Sequence, residues 1–335
     1  MTSTPASIWL DRTHVGDCRV LLRQMADDGV RVNMCVTSPP YFGLRRYLPP
    51  DHPDRAAEIG TENTPDAFIT SLVGVFREVG RLLADDGTLW LNIGDSYAGT
   101  GKSGGGRQGQ RWQAIGATAT GPRGGHWSPA PHGLKGKDLI GIPWMLAFAL
   151  RNDGWYLRQD IIWAKPNPMP ESVTDRCTRA HEYLFLLSKS RRYYFDRDAI
   201  SEPSSDPRAP GNLRPVRQPP GERSSGPNGS IRGRLHQIGA RGHRNRRDVW
   251  TISTQPSTSN HFAVFPDALV TPCVLAGSRI GGIVLDPFMG SGRTATAATR
   301  LRRRFIGCEL NPSFLDLDNE QSPQGTSAII TETAP

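Results

Sequence analysis

A short apolar run in the first part of the chain stops at a turn that could position a polar group of a substrate. The turn has the sequence Val36-Thr37-Ser38-Pro39-Pro40-Tyr41. Proline fixes its own φ and has no N–H, so the Pro39 carbonyl has a fixed direction and is free to accept a hydrogen bond. The Ser38 hydroxyl is a second acceptor, and Tyr41 supplies a flat aromatic face. On its own, such a turn is more often a rigid exit from a strand into a loop.

A second turn, towards the C-terminal end, has the composition of a cofactor site. An apolar run at residues 283–285 leads into Asp286-Pro287-Phe288-Met289-Gly290-Ser291-Gly292. Glycines between a strand and a helix let backbone N–H groups approach a polar ligand at the positive end of the helix. Glu309 follows at about the 20-residue spacing at which an acidic residue accepts hydrogen bonds from ribose hydroxyls. The G-x-G-x-x-G pattern of dinucleotide sites is missing, so S-adenosylmethionine, with one ribose and an amino-acid carboxylate, fits better than a dinucleotide.

Strands and helices alternate around both turns, which predicts a parallel sheet with helices on both faces. Hydrophobic periodicity places helices at residues 17–25, 66–86, 138–151, 262–276 and 294–301. Strands are predicted at residues 8–10, 32–37, 88–93, 155–163, 283–285 and 304–308, and residues 182–188 and 193–195 are predicted to form an antiparallel pair.

Length and composition suit an enzyme with a polyanionic partner. The chain has 335 residues, enough for one large α/β domain or two smaller ones. Its formal charge of +8 and pI near 9.5 suit a polyanionic partner. No apolar run approaches the length of a membrane span, so no membrane partner is expected. The cysteines are never spaced as metal-binding pairs, which predicts no metal site and a reduced, cytoplasmic setting; they are Cys18, Cys35, Cys177, Cys273 and Cys308.

Two insertions carry most of the unusual composition. Residues 97–137 contain 12 glycines, six basic residues and no acidic residue, typical of a mobile basic loop or of a plain linker. Residues 207–247 contain ten arginines against Glu222 alone, a balance of +9 that exceeds the +8 of the whole chain. Such concentration favours phosphate binding over a merely disordered loop. The residues predicted to bind phosphates are Arg232, Arg234, Arg241, Arg244, Arg246 and Arg247.

These features together resemble the β-group of DNA amino-methyltransferases, the N4-cytosine and N6-adenine enzymes of restriction-modification systems and phages. The likeness runs from about Trp9 to Leu315, with the catalytic turn first and the cofactor turn last. It includes Trp163-Ala164-Lys165-Pro166-Asn167-Pro168, His181-Glu182-Tyr183, Asp248-Val249-Trp250 and His261-Phe262-Ala263. The resemblance implies an α/β, Rossmann-like S-adenosylmethionine-dependent methyltransferase fold with circularly permuted motif order and basic insertions.

The resemblance also implies a division of the chain. The expected parts are a catalytic half at 1–96, a Gly-rich basic loop at 97–137, a continuation of the methyltransferase domain at 138–200, an Arg-rich target-recognition insertion at 201–247, a cofactor-binding half at 248–317 and a flexible tail at 318–335.

By the same resemblance, the residues of the two turns take specific roles. Ser38, Pro39, Pro40 and Tyr41 would form the catalytic site, Asp17 would lie near the adenine of the cofactor, and Glu309 would bind its ribose. The other expected cofactor-binding residues are Thr37, Asp286, Pro287, Phe288, Gly290, Ser291, Gly292 and Asn311. Many members have Thr-Thr after the second glycine, where this chain has Arg293-Thr294, a departure that bears on contacts to the methionine carboxylate. Double-stranded DNA is the expected partner, and a cognate restriction endonuclease is a further one that the resemblance allows.

The implied reaction is direct methylation of an exocyclic amine. Acceptors at Pro39 and Ser38 would favour a pyramidal nitrogen whose lone pair attacks the sulfonium methyl in line. The target base would leave the duplex and stack on Tyr41. C5-cytosine chemistry would require a nucleophilic cysteine in this turn, and the turn has none.

Several alternatives stay open. Within the family, Ser at position 38 usually accompanies N4-cytosine specificity, and Asp or Asn accompanies N6-adenine, so N4-cytosine is expected and N6-adenine is the alternative. A related fold methylates RNA or protein amides through a similar turn. A non-catalytic DNA-binding module is the alternative from a different class.

Overall fold

A sheet of eight strands, parallel except for one, forms the centre of the protein. The computed structural model describes residues 5–43, 46–49, 51–98, 134–203, 243–254 and 265–314. The strands of this part are β1 (Arg12–Val15), β2 (Val32–Thr37), β3 (Leu83–Ile93), β4 (Tyr156–Ala164), β5 (His181–Ser188), β6 (Glu202–Pro203), β7 (His243–Arg244), β8 (Val249–Thr251), β9 (Ile283–Asp286) and β10 (Arg304–Glu309). Its α-helices are α1 (Cys18–Asp27), α2 (Pro65–Leu82), α3 (Ile142–Asn152), α4 (Asp267–Gly277) and α5 (Arg293–Arg300).

The order of strands in the main sheet is β1-β10-β9-β2-β3-β5-β4-β8, and β6 and β7 form a separate two-stranded ribbon. β5 runs antiparallel to both of its neighbours. The first and last parts of the chain meet where β2 pairs with β9, with Met34 opposite Val284 and Cys35 opposite Leu285. Because these two strands are parallel, the turns that follow them emerge at the same edge of the sheet.

Helices cover both faces of the sheet, as the alternation of elements predicts. One core contains Leu22 of α1, Phe76 of α2 and Leu146 of α3. The other contains Val274 of α4 and Ala297 of α5. Burial on both faces explains why the central strands are nearly continuous apolar runs.

The helix α2 shows how local signals define an element. The Thr64 hydroxyl accepts a hydrogen bond from the N–H of Ala67 at 3.1 Å, and Pro65 occupies the first turn. Phe68 and Leu72, one turn apart, are fully buried. Leu83, which the apolar spacing assigns to the helix, is its C-cap and the first residue of β3.

The strand predicted at residues 8–10 is wrong. Residues Pro5–Trp9 form a 3-10 helix, and the edge strand β1 begins at Arg12. Trp9 is buried and its indole N–H donates to Asp28 Oδ2 at 2.8 Å. A three-residue apolar run does not distinguish a strand from one turn of helix, because both can bury one large side chain.

The antiparallel pair predicted between residues 182–188 and 193–195 is also wrong. Both edges of β5 are already hydrogen-bonded, to β3 and to β4. Phe195 instead stacks on Trp90, with ring centroids 6.1 Å apart. The aromatic residues that suggested a strand therefore contribute to packing on the face of the sheet.

Two helices begin later than their periodicity indicates. α3 starts at Ile142 because Asp95 Oδ1 accepts the N–H groups of Gly141 and Ile142, at 2.9 and 3.1 Å. α4 starts at Asp267 after Pro266, and residues 261–264 lie outside the described residues. Most of the predicted loop 97–137, most of the insertion 201–247 and the tail 318–335 also lie outside them. Within the described ranges, no helix combines the length and apolarity needed to cross a bilayer.

We expect Gly277→Ala to lower the free energy of unfolding by about 1 to 3 kcal/mol. A Cβ at this position would lie 2.7 Å from the indole nitrogen of Trp90 and 3.0 Å from Met34 Sδ, both in the core under α4. The matched control is Gly74→Ala in α2, where nothing lies within 4 Å and where alanine should add about 0.5 to 1 kcal/mol. Urea unfolding followed by circular dichroism measures both, and equal effects at the two positions would contradict the packing described here.

Candidate active site

Both turns open into one cavity of about 400 Å³ at the carboxyl edge of the sheet. Its lining includes the predicted residues Asp17, Ser38, Pro39, Pro40, Tyr41, Asp286, Pro287, Phe288, Gly290, Ser291 and Glu309. Thr37, Gly292 and Asn311 are not among the lining residues. Thr37 and Asn311 bond to residues that are, and Gly292 precedes the first turn of α5.

The carboxylate of Asp286 connects the two turns. It is buried, and Oδ1 accepts hydrogen bonds from the Thr37 hydroxyl at 2.6 Å and from the N–H of Phe288 at 3.0 Å. Oδ2 accepts from the Thr294 hydroxyl at 2.6 Å. Burial raises the pKa of Asp286 to about 6, although the hydrogen bonds from Thr294, Thr37 and Phe288 act in the opposite direction. Thr294, which belongs to the Arg293-Thr294 pair where many family members have Thr-Thr, therefore uses its hydroxyl to bind Asp286.

The Glu309 carboxylate lies at the end of β10 and orders the glycine turn. Its Oε2 accepts the N–H of Gly290 at 2.8 Å, and Oε1 accepts the N–H of Asn311 at 2.8 Å. Burial raises the pKa of Glu309 to about 7. Gly290 and Gly292 have φ of 55° and 69°, values that suit glycine because it lacks a Cβ.

Asp17 occupies the end of the cavity beside α1. As the N-cap of α1 it accepts the N–H of Arg19 at 2.9 Å, and its Oδ2 lies 2.7 Å from Arg19 Nη2. The same guanidinium nitrogen donates to the carbonyl of Ala57 at 2.9 Å. Arg19 therefore joins α1 to the segment that precedes α2.

The catalytic turn is held by polar side chains of β3 and β5. Ser38 Oγ donates to Asn92 Oδ1 at 3.3 Å, and the Tyr41 hydroxyl donates to Glu182 Oε2 at 2.6 Å. Desolvation and the adjacent Glu182 carboxylate raise the pKa of Tyr41, so its hydroxyl remains a donor. Gly94 leaves room for the ring, since a Cβ there would lie 2.6 Å from Tyr41 Cε2.

Opposite this turn, an ion pair joins Glu182 to Lys165. The Lys165 ammonium lies 4.3 Å from the centroid of the Trp163 ring, and all three residues line the cavity. Asn92 Nδ2 donates to the carbonyl of Tyr183 at 3.1 Å. This cluster provides polar and aromatic groups where a flat ligand next to Ser38 would lie.

Sequence reasoning assigned no role to Asn92 or Glu58, and placed Lys165 and Glu182 only in segments that resemble the family. All four line the cavity. A polar residue near the end of an apolar strand is a signal that could have identified Asn92. Glu182 at the start of β5 gave no such signal, because the position of that strand in the sheet was unknown.

The described members of the predicted DNA-binding arginines do not line this cavity. Arg244, Arg246 and Arg247 are described, and none of them is among the lining residues. The Nε and backbone N–H of Arg247 donate to Glu202 Oε1 at 3.0 and 2.9 Å, which lowers the pKa of Glu202. Arg246 lies 4.5 Å over the ring of Trp250. Arg232, Arg234 and Arg241 lie outside the described residues.

Comparison with known proteins identifies the family to which the chain belongs. The N6_N4_Mtase family model, described as DNA methylase, matches residues 32–320. The chain belongs to this family of DNA methylases. It is 45% identical over 307 residues to the Type II methyltransferase M.SmaI of Serratia marcescens, covering 92% of this chain and 89% of that one. It is 43% identical over 302 residues to the Type II methyltransferase M.Cfr9I of Citrobacter freundii, covering 90% and 84%.

Known structures agree with the fold. The PvuII DNA methyltransferase (cytosine-N4-specific) superimposes with a TM-score of 0.58 at 15% identity, covering 95% of this chain and 90% of that one. A DNA modification methylase of Thermus thermophilus, in complex with S-adenosylmethionine, gives 0.51 at 23% identity and covers 92% of each chain. The predicted Rossmann-like fold of S-adenosylmethionine-dependent DNA methyltransferases is confirmed.

The methylase is thus an S-adenosylmethionine-dependent DNA amino-methyltransferase of the restriction-modification type, acting on N4 of cytosine or N6 of adenine. The predicted cofactor and family are confirmed.

We expect the stability of the methylase, freed of cofactor, to depend on pH through Asp286. The pKa of this group is raised from 3.8 to about 6, so its contribution to stability is complete below about pH 4 and is lost as the pH rises through 6. Asn at this position stays neutral, so the stability of Asp286→Asn relative to the wild type should increase by about 2 kcal/mol between pH 4 and pH 7. Urea unfolding at several pH values measures this, with the exposed substitution Asp51→Asn as a control. A difference that does not change with pH would contradict the assignment.

Proposed function

We propose that the methylase transfers a methyl group to the N4 amine of cytosine in double-stranded DNA, with Ser38 and the Pro39 carbonyl as acceptors for the amine. The hydrogen bond from Ser38 Oγ to Asn92 Oδ1 carries this proposal. It uses the hydroxyl proton, so the lone pairs of the serine oxygen are left for a donor in the cavity. Asn92 is then a positioning residue that keeps Ser38 an acceptor.

The donor set of the cavity fits S-adenosylmethionine. The buried carboxylates of Asp286 and Glu309 and the positive-φ glycine turn lie together at one end. A carboxylate matches the ammonium group of the methionine part, and another matches ribose hydroxyls. Arg293 also lines this end, and its guanidinium matches the methionine carboxylate. Asp17 would lie near the adenine, as the resemblance implies.

The residues of the cavity favour direct transfer. The cofactor supplies an electrophilic sulfonium methyl group. Two acceptors aimed at the amine would accept hydrogen bonds from its protons. They would favour a pyramidal nitrogen, whose lone pair is no longer delocalised into the base ring. The turn that carries them is fixed by two prolines, which keeps the acceptors in place without reorganisation. Glu182 holds the hydroxyl of Tyr41 at 2.6 Å and thereby sets the plane on which a flipped base would stack.

The cysteine of the cavity argues against a covalent C5 mechanism. Among the described lining residues, Cys18 is the cysteine, and burial raises the pKa of its thiol to about 12. A thiol of this kind is not ionised near neutral pH and is a poor nucleophile. Direct attack by an amine needs no such group.

Cytosine is favoured over adenine by two features. Ser38 occupies the position where the family usually has Ser for N4-cytosine specificity, and the PvuII enzyme of the same fold is described as cytosine-N4-specific. N6-adenine remains the second candidate, because the same acceptors could serve either amine.

Several other proposals complete the function. The arginines of residues 201–247 would bind the phosphates of the target DNA, and a cognate endonuclease is proposed from the Type II relatives. The bond between Arg247 and Glu202 would orient the end of this insertion. The domain boundaries, including 97–137 and 201–247, remain predictions, as does a cytoplasmic location.

The nature of the methylated nucleoside tests the proposal. Unmethylated bacterial DNA is incubated with the purified protein and S-adenosylmethionine, digested to nucleosides and analysed by mass spectrometry. We expect N4-methylcytosine. Ser38→Ala and Tyr41→Ala should reduce transfer at least about a hundredfold with little change in cofactor affinity, and Tyr41→Phe, which keeps the ring, should lose less. N6-methyladenine would favour the second candidate, and full activity of both alanine variants would exclude the assigned site.

A separate expectation concerns the insertion. Replacement of Arg232, Arg234 and Arg241 by Glu should weaken DNA binding and reduce its dependence on salt, because each phosphate contact releases counterions. Fluorescence anisotropy of labelled DNA at several salt concentrations measures the slope. Arg151→Glu, at the C-terminal end of α3, is the control for a single charge reversal outside the insertion. Unchanged slopes in the triple variant would show that the insertion does not contact DNA phosphates.

A further inference from the structure

A buried carboxylate with one unused oxygen lies in the wall of the cavity. Glu58 belongs to the segment between β2 and α2 and is 5% exposed. Its Oε1 accepts the backbone N–H of Leu48 at 3.2 Å and that of Tyr47 at shorter range. Its Oε2 has no hydrogen-bond partner among the described residues, although the residue lines the cavity.

An unpaired buried oxygen requires a physical explanation. Taking a carboxylate oxygen out of water without a partner costs about 1 to 3 kcal/mol or more, and nearly all buried polar groups in proteins are hydrogen-bonded. The neighbouring oxygen of the same carboxylate is fully used in holding the chain at Tyr47 and Leu48. No described group of the fold pairs with this oxygen, and Glu58 lines the cavity, so a ligand of the cavity is the candidate partner.

The position of Glu58 indicates which part of the ligand it meets. The carbonyl of Tyr47 accepts Asn311 Nδ2 at 2.9 Å, and the N–H of Asn311 bonds to Glu309. On the other side, the carbonyl of Ala57, adjacent in sequence, accepts from Arg19, the partner of Asp17. Glu58 is thus connected on one side to the proposed ribose site and on the other to the proposed adenine site.

We propose that Glu58 is a further cofactor-binding residue, whose free carboxylate oxygen accepts a hydrogen bond from the adenosine half of S-adenosylmethionine. The ribose hydroxyls and the adenine amine are the donors of that half. The inference rests on the cofactor site of the proposed function. It adds a residue from the segment before α2, so that one carboxylate binds the ligand and also fixes the chain at Tyr47 and Leu48.

Calorimetric binding of S-adenosylhomocysteine tests this without catalysis. Glu58→Gln keeps Oε1 for Tyr47 and Leu48 and replaces the accepting oxygen with an amide NH₂, so we expect affinity to fall about tenfold or more. The matched control is Glu62→Gln, which removes the same charge from the same segment but alters a carboxylate that accepts the N–H of Gly60 at 2.8 Å outside the cavity lining. Its affinity should stay within about twofold of the wild type.

Two ligand analogues identify the donor. If the adenine amine is the donor, S-inosylhomocysteine, which lacks this amine, should bind Glu58→Gln and the wild type equally. If a ribose hydroxyl is the donor, the loss caused by Glu58→Gln should persist with that analogue. In both cases the loss should also persist with 5′-methylthioadenosine, which keeps the nucleoside and lacks the amino acid. Equal binding of 5′-methylthioadenosine to Glu58→Gln and the wild type would place the contact at the methionine ammonium and overturn the proposal.

The outcomes separate this inference from the function on which it rests. If the wild type binds S-adenosylhomocysteine and Glu58→Gln binds it equally well, the role of Glu58 is excluded and the proposed function stands. If the wild type does not bind the ligand, both are excluded. Should Glu58→Gln fail to fold by circular dichroism, Glu58→Asp serves as the second variant. This variant keeps the charge but has a side chain shorter by one methylene group, so its carboxylate lies farther from the ligand. Unchanged affinity in Glu58→Asp would overturn the proposal.

Discussion

The buried carboxylate of Asp286 is the contact on which the geometry of this methylase depends. It accepts hydrogen bonds from Thr37, 249 positions away in the chain, and from Thr294 in the first turn of α5. A carboxylate removed from water must have its lone pairs satisfied, so the ends of β2 and β9 are held in one arrangement. The catalytic turn follows Thr37 and the cofactor turn follows Asp286. One desolvated group therefore sets the distance between the two turns that the proposed function assigns to the methyl donor and to the acceptors for the amine.

The single antiparallel strand of the main sheet has a consequence for the opposite wall of the cavity. Because β5 runs against β3, the start of β5 lies at the edge where β3 ends, with Tyr183 opposite Ile93. Glu182 therefore reaches the same edge as Asn92, where it accepts from Tyr41 and pairs with Lys165. Parallel strands would have placed this residue at the far end of the sheet. The reversal of one strand thus supplies the polar groups that hold the aromatic ring of the catalytic turn.

Among the described residues, buried carboxylates and arginines beside β8 occupy different parts of the structure. The cavity is walled by carboxylates, with Asp286, Glu309 and Glu58 all buried. The arginine-rich insertion reaches the sheet at its outer strand β8, where Glu202 accepts from Arg247. In the proposed function, the acidic groups of the cavity would suit a cationic sulfonium ligand, and the arginines beside β8 would suit an anionic duplex. A basic cavity would repel the sulfonium ligand, and an acidic edge would repel the duplex.

Some features of this protein follow from the sequence alone, and others were decided only by the tertiary structure. The strand Val32–Thr37 agrees with the apolar run before Ser38. The strand, glycine turn and helix at residues 283–300 also follow from the sequence, because buried parallel strands and glycine turns constrain every residue in them. Asn92, Glu182 and Glu58, by contrast, line the cavity only because of the positions of β3, β5 and the segment before α2. The sequence also misplaced residues 8–10 and 193–195, where short apolar runs pack as a 3-10 helix and as a stacked ring. In each case the reason is the same: local sequence specifies which backbone conformation a segment favours, whereas the partner of a buried polar or aromatic group is set by the packing of the whole sheet.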